Sequence, residues 1–188
     1  MSKPKVIVIC GPTASGKTSL SIELARRING EIISADSMQI YKDMTIGTAK
    51  PLPDEMDGIK HHLIDFVSPD ERYSVAEFKK DAEKKIEEIL ANKRTPIVVG
   101  GTGLYIDALV YGIEYPDVNL DEEYRNQLLE IANTEEGLNQ LYKQAKMIDE
   151  LAAQKISPND KKRIIRIIEL YNATGKTKTE LEVESRKN

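Results

Sequence analysis

The segment Gly11-Pro12-Thr13-Ala14-Ser15-Gly16-Lys17-Thr18 places a lysine and a hydroxyl just after two glycines with four residues between them, the spacing of a phosphate-cradling loop. Backbone N–H groups in such a loop, and the start of the helix after it, point at phosphate oxygens. Lys17 would neutralise the outer phosphate, and Thr18 would offer its hydroxyl to Mg²⁺. All eight residues are candidate diphosphate contacts. The chemistry they suggest is transfer of a group from a substrate bearing a diphosphate or triphosphate.

Two further positions could do chemistry. Asp36 follows a short apolar run, and a carboxylate there can serve as a general base, as a Mg²⁺ ligand or simply as a turn former. Thr102 lies in Gly100-Gly101-Thr102-Gly103, where glycine permits close backbone approach to a ligand or forms a tight turn. His61 and His62 precede an apolar run and read as structural. Lys161, Lys162, Arg163 and Arg166 form a basic cluster, with Lys162 and Arg166 on one helix face. It reads either as a solvated surface or as a contact for an anion or RNA.

Positioning these residues requires an alternating α/β chain. Lys5–Cys10 is a nearly continuous apolar run with β-branched residues, the pattern of a parallel strand buried on both faces. A helix follows from Lys17, closed by Asn29-Gly30. Glu31–Ala35, His62–Phe66 and Pro96–Val99 are further strand candidates. Ser74-Val75-Ala76-Glu77 is a capping box opening a helix with Val75, Phe78, Ala82, Ile86 and Leu90 on one face. Another helix starts near Leu104. This alternation predicts a P-loop NTPase-like, doubly wound parallel sheet, with ligands beyond the carboxyl ends of its strands. The phosphate loop, Asp36 and the Gly100–Gly103 loop all fall at those ends.

After Tyr115-Pro116-Asp117 the character changes to helical spacing, interrupted near Asn133 and Gly137. The expected organisation is an α/β core over 1–116, a lid-like helical insertion over 117–156, a return helix over 157–176 and a flexible tail over 177–188. Ser157 is the expected N-cap of the return helix, with Pro158 at its first position.

Composition narrows the classes. Among 188 residues there is one cysteine, so no internal disulfide forms, and a reducing cytoplasm is expected. With two histidines, a zinc site built on Cys and His is disfavoured. No apolar run approaches the roughly 18 residues of a membrane span, and the N-terminus lacks the features of a secretory signal. The net charge of −4 leans against a dedicated nucleic-acid binder.

The ordered motifs resemble those of the tRNA dimethylallyltransferases. The resemblance is carried by Gly11 to Thr18; Ser34-Ala35-Asp36-Ser37-Met38-Gln39-Ile40-Tyr41; Ile46-Gly47-Thr48-Ala49-Lys50-Pro51; His61-His62-Leu63-Ile64-Asp65; Gly100 to Tyr105; and Pro158-Asn159-Asp160 with Arg163 and Arg166. It implies transfer of a dimethylallyl group from dimethylallyl diphosphate to N6 of the adenine 3′ of the anticodon in tRNA. On matching positions, it makes Asp36 the general base, aided by Lys17 and Thr102, with Thr18 near Mg²⁺. It makes Asp36, Ser37, Met38, Gln39, Thr102, Arg163 and Arg166 contacts for the tRNA anticodon loop. A cytoplasmic monomer is expected. Chains of the family usually continue with further arginine-rich helices, so the resemblance implies a shortened form. Here Asp149-Glu150 stands where the family commonly has Asp-Pro. A small-molecule P-loop kinase, an adenylate isopentenyltransferase and a non-catalytic nucleotide-binding remnant are the competing readings.

Overall fold

The structure, a computed structural model, describes residues 5–113 and 121–185. Those residues form two compact units, one over residues 5–113 and one over residues 121–185. The expected junction at 116–117 lies outside the described residues.

The first unit is built on four parallel strands, β1 (Ile7–Cys10), β2 (Gly30–Ser34), β3 (His61–His62) and β4 (Thr95–Gly100). Their order is β1-β4-β2-β3. The strand pleat sorts successive apolar residues to opposite faces. Ile32 and Ile97 pack with Ile22 and Ala25 of α1 (Lys17–Ile28). Ile33 and Val98 pack with Phe78, Ala82 and Ile89 of α2 (Val75–Ala91) and Tyr105 and Ile106 of α3 (Gly103–Val110). Helices therefore cover both faces, and the sheet is doubly wound, as the alternation predicts.

Two strand expectations need correction. β1 is half-buried instead of enclosed on both faces, because among the described residues it pairs with β4 alone. The third strand is only His61–His62, and His62–Phe66 does not continue it. Leu63 and Asp65 adopt left-handed φ values of 55° and 58°, which no extended strand accommodates. α2 begins as predicted, with Ser74 and Glu77 exchanging both bonds of the capping box.

The second unit packs α4 (Glu122–Ile131), α5 (Glu135–Ile148), α6 (Glu150–Gln154), α7 (Lys161–Thr174) and α8 (Lys178–Ser185). Leu128, Leu138, Leu141, Ala145, Ala153 and four isoleucines of α7 (164, 165, 167, 168) make its core. The segment expected to return to the α/β core thus buries its apolar face here. Its N-cap is Asp160, whose carboxylate accepts from Arg163 N at 3.1 Å, and not Ser157. Ser157 instead closes the turn before it, accepting from Asn159 N. The expected flexible tail contains α8, because Thr177 and Glu180 form a reciprocal cap and Thr179 bonds to Asp149. Local capping compensates for the low apolar content there.

Candidate active site

Strand pairing brings the motif loops to one rim. Cys10 is in register with Gly100, and Ser34 with Val99, so the phosphate loop, the Asp36 loop and the Gly100–Gly103 loop leave the sheet side by side. β4 separates β1 from β2, and two strand spacings put their ends about 9.5 Å apart. Gly100 must be glycine for a packing reason. A Cβ there would stand 2.1 Å from the Ala35 carbonyl oxygen. The sequence expectation that this glycine admits a ligand is revised at Gly100: it admits the neighbouring backbone. Gly101 lies against the Gly11 carbonyl, where a Cβ would sit at 3.4 Å.

In the phosphate loop, Gly16 takes a left-handed φ of 80° and forms the N-cap of α1 without a capping side chain. The first N–H groups of α1 therefore face outward for an anion. Ala14 is also left-handed, with φ 62°. The Lys17 ammonium donates to the Pro12 carbonyl at 2.5 Å, and the Ser15 hydroxyl donates to the same oxygen at 2.8 Å. Gly11 and Lys17 are half-buried, while Pro12, Thr13, Ala14, Ser15, Gly16 and Thr18 are exposed.

Asp36 is half-buried at the end of β2. Its Oδ1 accepts from Met38 N at 2.9 Å and, more weakly, from Gln39 N at 3.4 Å. Among the described residues no bond to Oδ2 is seen, so one carboxylate oxygen is fixed and the other is available. Thr102 locks this loop from the β4 side. Its Oγ1 accepts from Ser37 N at 2.9 Å and donates to Ser37 Oγ at 3.2 Å, and its N–H donates to Ala35 O at 3.2 Å. That explains why Thr102, the N-cap of α3, makes no capping bond with its side chain. Thr18 and Gln39, one from each loop, line a cavity of about 30 Å³ with Ser34, Pro51 and Val99. A larger groove of about 930 Å³ opens beside Thr18, Ile22, Ala49, Pro51 and Leu52.

Several supporting roles escaped the sequence reading. The Gln39 side chain donates to Thr48 O and Ala49 O at 3.1 and 3.0 Å, so its amide is committed within the protein. Lys50 is buried and joins Tyr41 O and the Asp65 carboxylate. Tyr105 stacks on Phe78 with ring centroids 4.0 Å apart. Burial, reinforced by Tyr41, Glu77 and Asp36, pushes its phenol up to about 12, so it stays protonated beside the carboxylate. His61 and His62, read as structural, both bond within the chain. His62 Nε2 bonds the buried Glu31 carboxylate at 2.5 Å, and His61 Nδ1 bonds Ile59 O at 2.8 Å. The resemblance had marked the blocks containing Lys50, Asp65 and Tyr105, but no charge or apolar pattern predicts that a lysine there is buried.

Arg163 and Arg166 belong to the second unit. Arg163 is exposed and pairs with Asp160 at 3.3 Å. Arg166 is half-buried; burial lowers its pKa, with Glu169 opposing that and Arg125 adding to it. Glu169 is itself buried and held by two bonds from Arg125, at 3.1 and 3.0 Å.

A glycine-bracketed phosphate loop on one strand of a parallel, doubly wound sheet, with a carboxylate presented two strands away, defines a P-loop α/β protein. Residues 39–188 match the family model described as IPP transferase, and the chain belongs to that family. It is 57% identical over 183 residues to a tRNA dimethylallyltransferase of Acetivibrio thermocellus, covering 97% of this chain and 58% of that one. A tRNA dimethylallyltransferase of Oceanobacillus iheyensis is 51% identical, over 95% of this chain and 56% of its own. The chain thus spans a little over half the length of these curated relatives. Among solved structures, it resembles the tRNA isopentenylpyrophosphate transferase of Bacillus halodurans at 46% identity and TM-score 0.60, covering 93% of this chain and 57% of that one. It also resembles a eukaryotic dimethylallyltransferase acting on tRNA, at 36% identity and TM-score 0.78, covering 98% and 45%.

Proposed function

We propose that the chain transfers a dimethylallyl group from dimethylallyl diphosphate to N6 of the adenine 3′ of the anticodon in tRNA, releasing pyrophosphate. The observation that carries this reading is Asp36: one oxygen is fixed by Met38 N and Gln39 N, the other is available, and the phosphate loop is on the same rim.

An adenine N6 lone pair is delocalised into the ring and attacks poorly. In the proposed step, N6 bonds to the allylic carbon as the carbon–oxygen bond to diphosphate breaks. The electron pair leaves on pyrophosphate, and the N6 proton passes to Asp36 Oδ2. The loop amides and Lys17, swung from Pro12 O, stabilise charge on the leaving group. Thr102 keeps the Asp36 loop in place through Ser37. The adenine must leave its stack to reach this rim.

Mg²⁺ fits this site in one way. Among the described residues no cluster of three or more His, Cys, Asp or Glu could hold a metal ion. A Mg²⁺ here would rest on the exposed Thr18 hydroxyl, substrate phosphates and water, as this ion commonly does. It would supply charge neutralisation for the departing diphosphate. Of the two arginines on α7, Arg163 is exposed and open to a tRNA phosphate, and Arg166 is half-buried and only partly so. Among the described residues no helix is long and apolar enough to cross a membrane, and the reading places the protein in the cytoplasm.

The test is to offer radiolabelled dimethylallyl diphosphate with unmodified tRNA bearing adenine at that position, with AMP, and to offer ATP with small acceptors. Label in the tRNA is the expected result. Label in AMP alone, or ADP formed from ATP with no label in tRNA, overturns the reading.

A further inference from the structure

Lys50 is an unusual lysine. Its side chain is 5% exposed, and its ammonium lies 2.6 Å from Tyr41 O and 2.5 Å from Asp65 Oδ1. A buried ammonium is tolerated only when its donors are met. Lys50 is therefore committed to its own chain and is not offered to a ligand phosphate. What it holds together is the loop that carries Asp36.

Four bonds run between residues 39–42 and 65–67. Asp65 N donates to Gln39 O at 3.0 Å, Phe66 N and Val67 N donate to Ile40 O at 2.8 and 3.0 Å, and Lys42 N donates to Val67 O at 2.8 Å. Asp65 can give its N–H to Gln39 and its carboxylate to Lys50 because its backbone is left-handed, with φ 58°. Gln39 is at once the residue pinned by Asp65, the clamp on Thr48 and Ala49 just before Lys50, and a donor to Asp36 Oδ1. Lys50 closes this ring of bonds from below.

We infer that Lys50, through Asp65 and Tyr41 O, is a positioning residue that fixes the turn from Asp36 to Gln39 and thereby aims the Asp36 carboxylate. This rests on the proposed prenyl transfer for its kinetic consequence, but not for its structural one. Lys50→Met suits the test, because methionine fills the buried slot and removes both bonds of the clamp; Asp65, whose side chain is 55% exposed, can be solvated, and the half-buried Tyr41 carbonyl loses its donor.

Two readouts are taken on the chain. The first is amide hydrogen exchange at Met38 and Gln39, compared with Ile33 and Val98 in the sheet. Lys50→Met is expected to speed exchange at Met38 and Gln39 about tenfold or more while the sheet amides keep their protection. The second is prenyl transfer to tRNA. A displacement near 1 Å at a reacting group costs about a hundredfold in rate, so kcat is expected to fall by about tenfold to a hundredfold, with KM for dimethylallyl diphosphate within about twofold. Unchanged exchange at Met38 and Gln39, or an unchanged kcat, overturns the inference. If Lys50→Met loses protection throughout the sheet, Asp65→Asn decides: the same local exchange and kcat pattern supports the clamp, and its absence overturns it. A wild-type chain that labels no tRNA removes the functional reading alone, and the exchange result still decides the role of Lys50.

Discussion

Lys17 has its ammonium on Pro12 O, 2.5 Å away, within the loop it is proposed to serve. Binding diphosphate asks it to exchange one neutral carbonyl for charged oxygens, and charge-assisted bonds are about twice as strong. Lys17→Ala is therefore expected to weaken dimethylallyl diphosphate binding by about tenfold to a hundredfold and to lower kcat/KM at least as much. Calorimetric titration and steady-state kinetics on one preparation check this, and an unchanged dissociation constant removes Lys17 from the site. The phosphate loop was legible in the sequence because its spacing, the strand before it and the helix after it are all local. Asp36 was legible as a carboxylate at a strand end, but its division into a fixed and an available oxygen was not. That division depends on where Met38 N and Gln39 N point, and on Thr102, 65 residues away, holding Ser37.

At the scale of the element, the rim depends on β2 and β4 lying closer than a side chain would permit. Gly100→Ala would drive a methyl into the Ala35 carbonyl, which is backbone and cannot rotate away. The expected cost is about 1–3 kcal/mol, which lowers the melting temperature by a few degrees, on the order of 2–4 °C per kcal/mol for a chain of this size. Thermal melts of the two proteins decide it, and equal midpoints would mean the strands have slack at Gly100. The alternation of strands and helices could be read from periodicity, because Ile32-Ile33 and Ile97-Val98 each supply one residue to either face. The short β3 could not. His62–Phe66 looks like a strand by composition, yet Leu63 and Asp65 turn left-handed so that Asp65 reaches Gln39 and Lys50. The start of α7 was misplaced by three residues for a similar reason: Ser157 and Asp160 are both good caps, and the turn they frame selects the second.

At the scale of the molecule, the second unit gains an acid-sensitive tie that composition conceals. Asp149 is buried; burial alone would raise its carboxyl, but bonds from Ala152 N and from Thr179, with Lys178 nearby, outweigh it and hold the pKa below the usual value. A depressed carboxylate contributes stability that is present above its unfolded pKa, near 3.9, and is lost as pH falls through the folded pKa. Asp149→Ala is expected to destabilise the chain at pH 7 by about 2 kcal/mol, within the range of a lost helix cap. That gap should narrow by pH 3. Urea unfolding at both pH values tests it, and an equal gap at both contradicts the tie. The same contacts order α8, which low apolar content had suggested would be a loose tail. The account as a whole stands on Asp36 taking a proton from the acceptor nitrogen while the neighbouring loop grips the diphosphate. The most direct measurement is transfer of label from dimethylallyl diphosphate to unmodified tRNA by wild type and Asp36→Asn, with diphosphate affinity measured on both. The account predicts a loss of transfer of about a hundredfold or more with affinity essentially retained. Near-normal transfer by Asp36→Asn would contradict it.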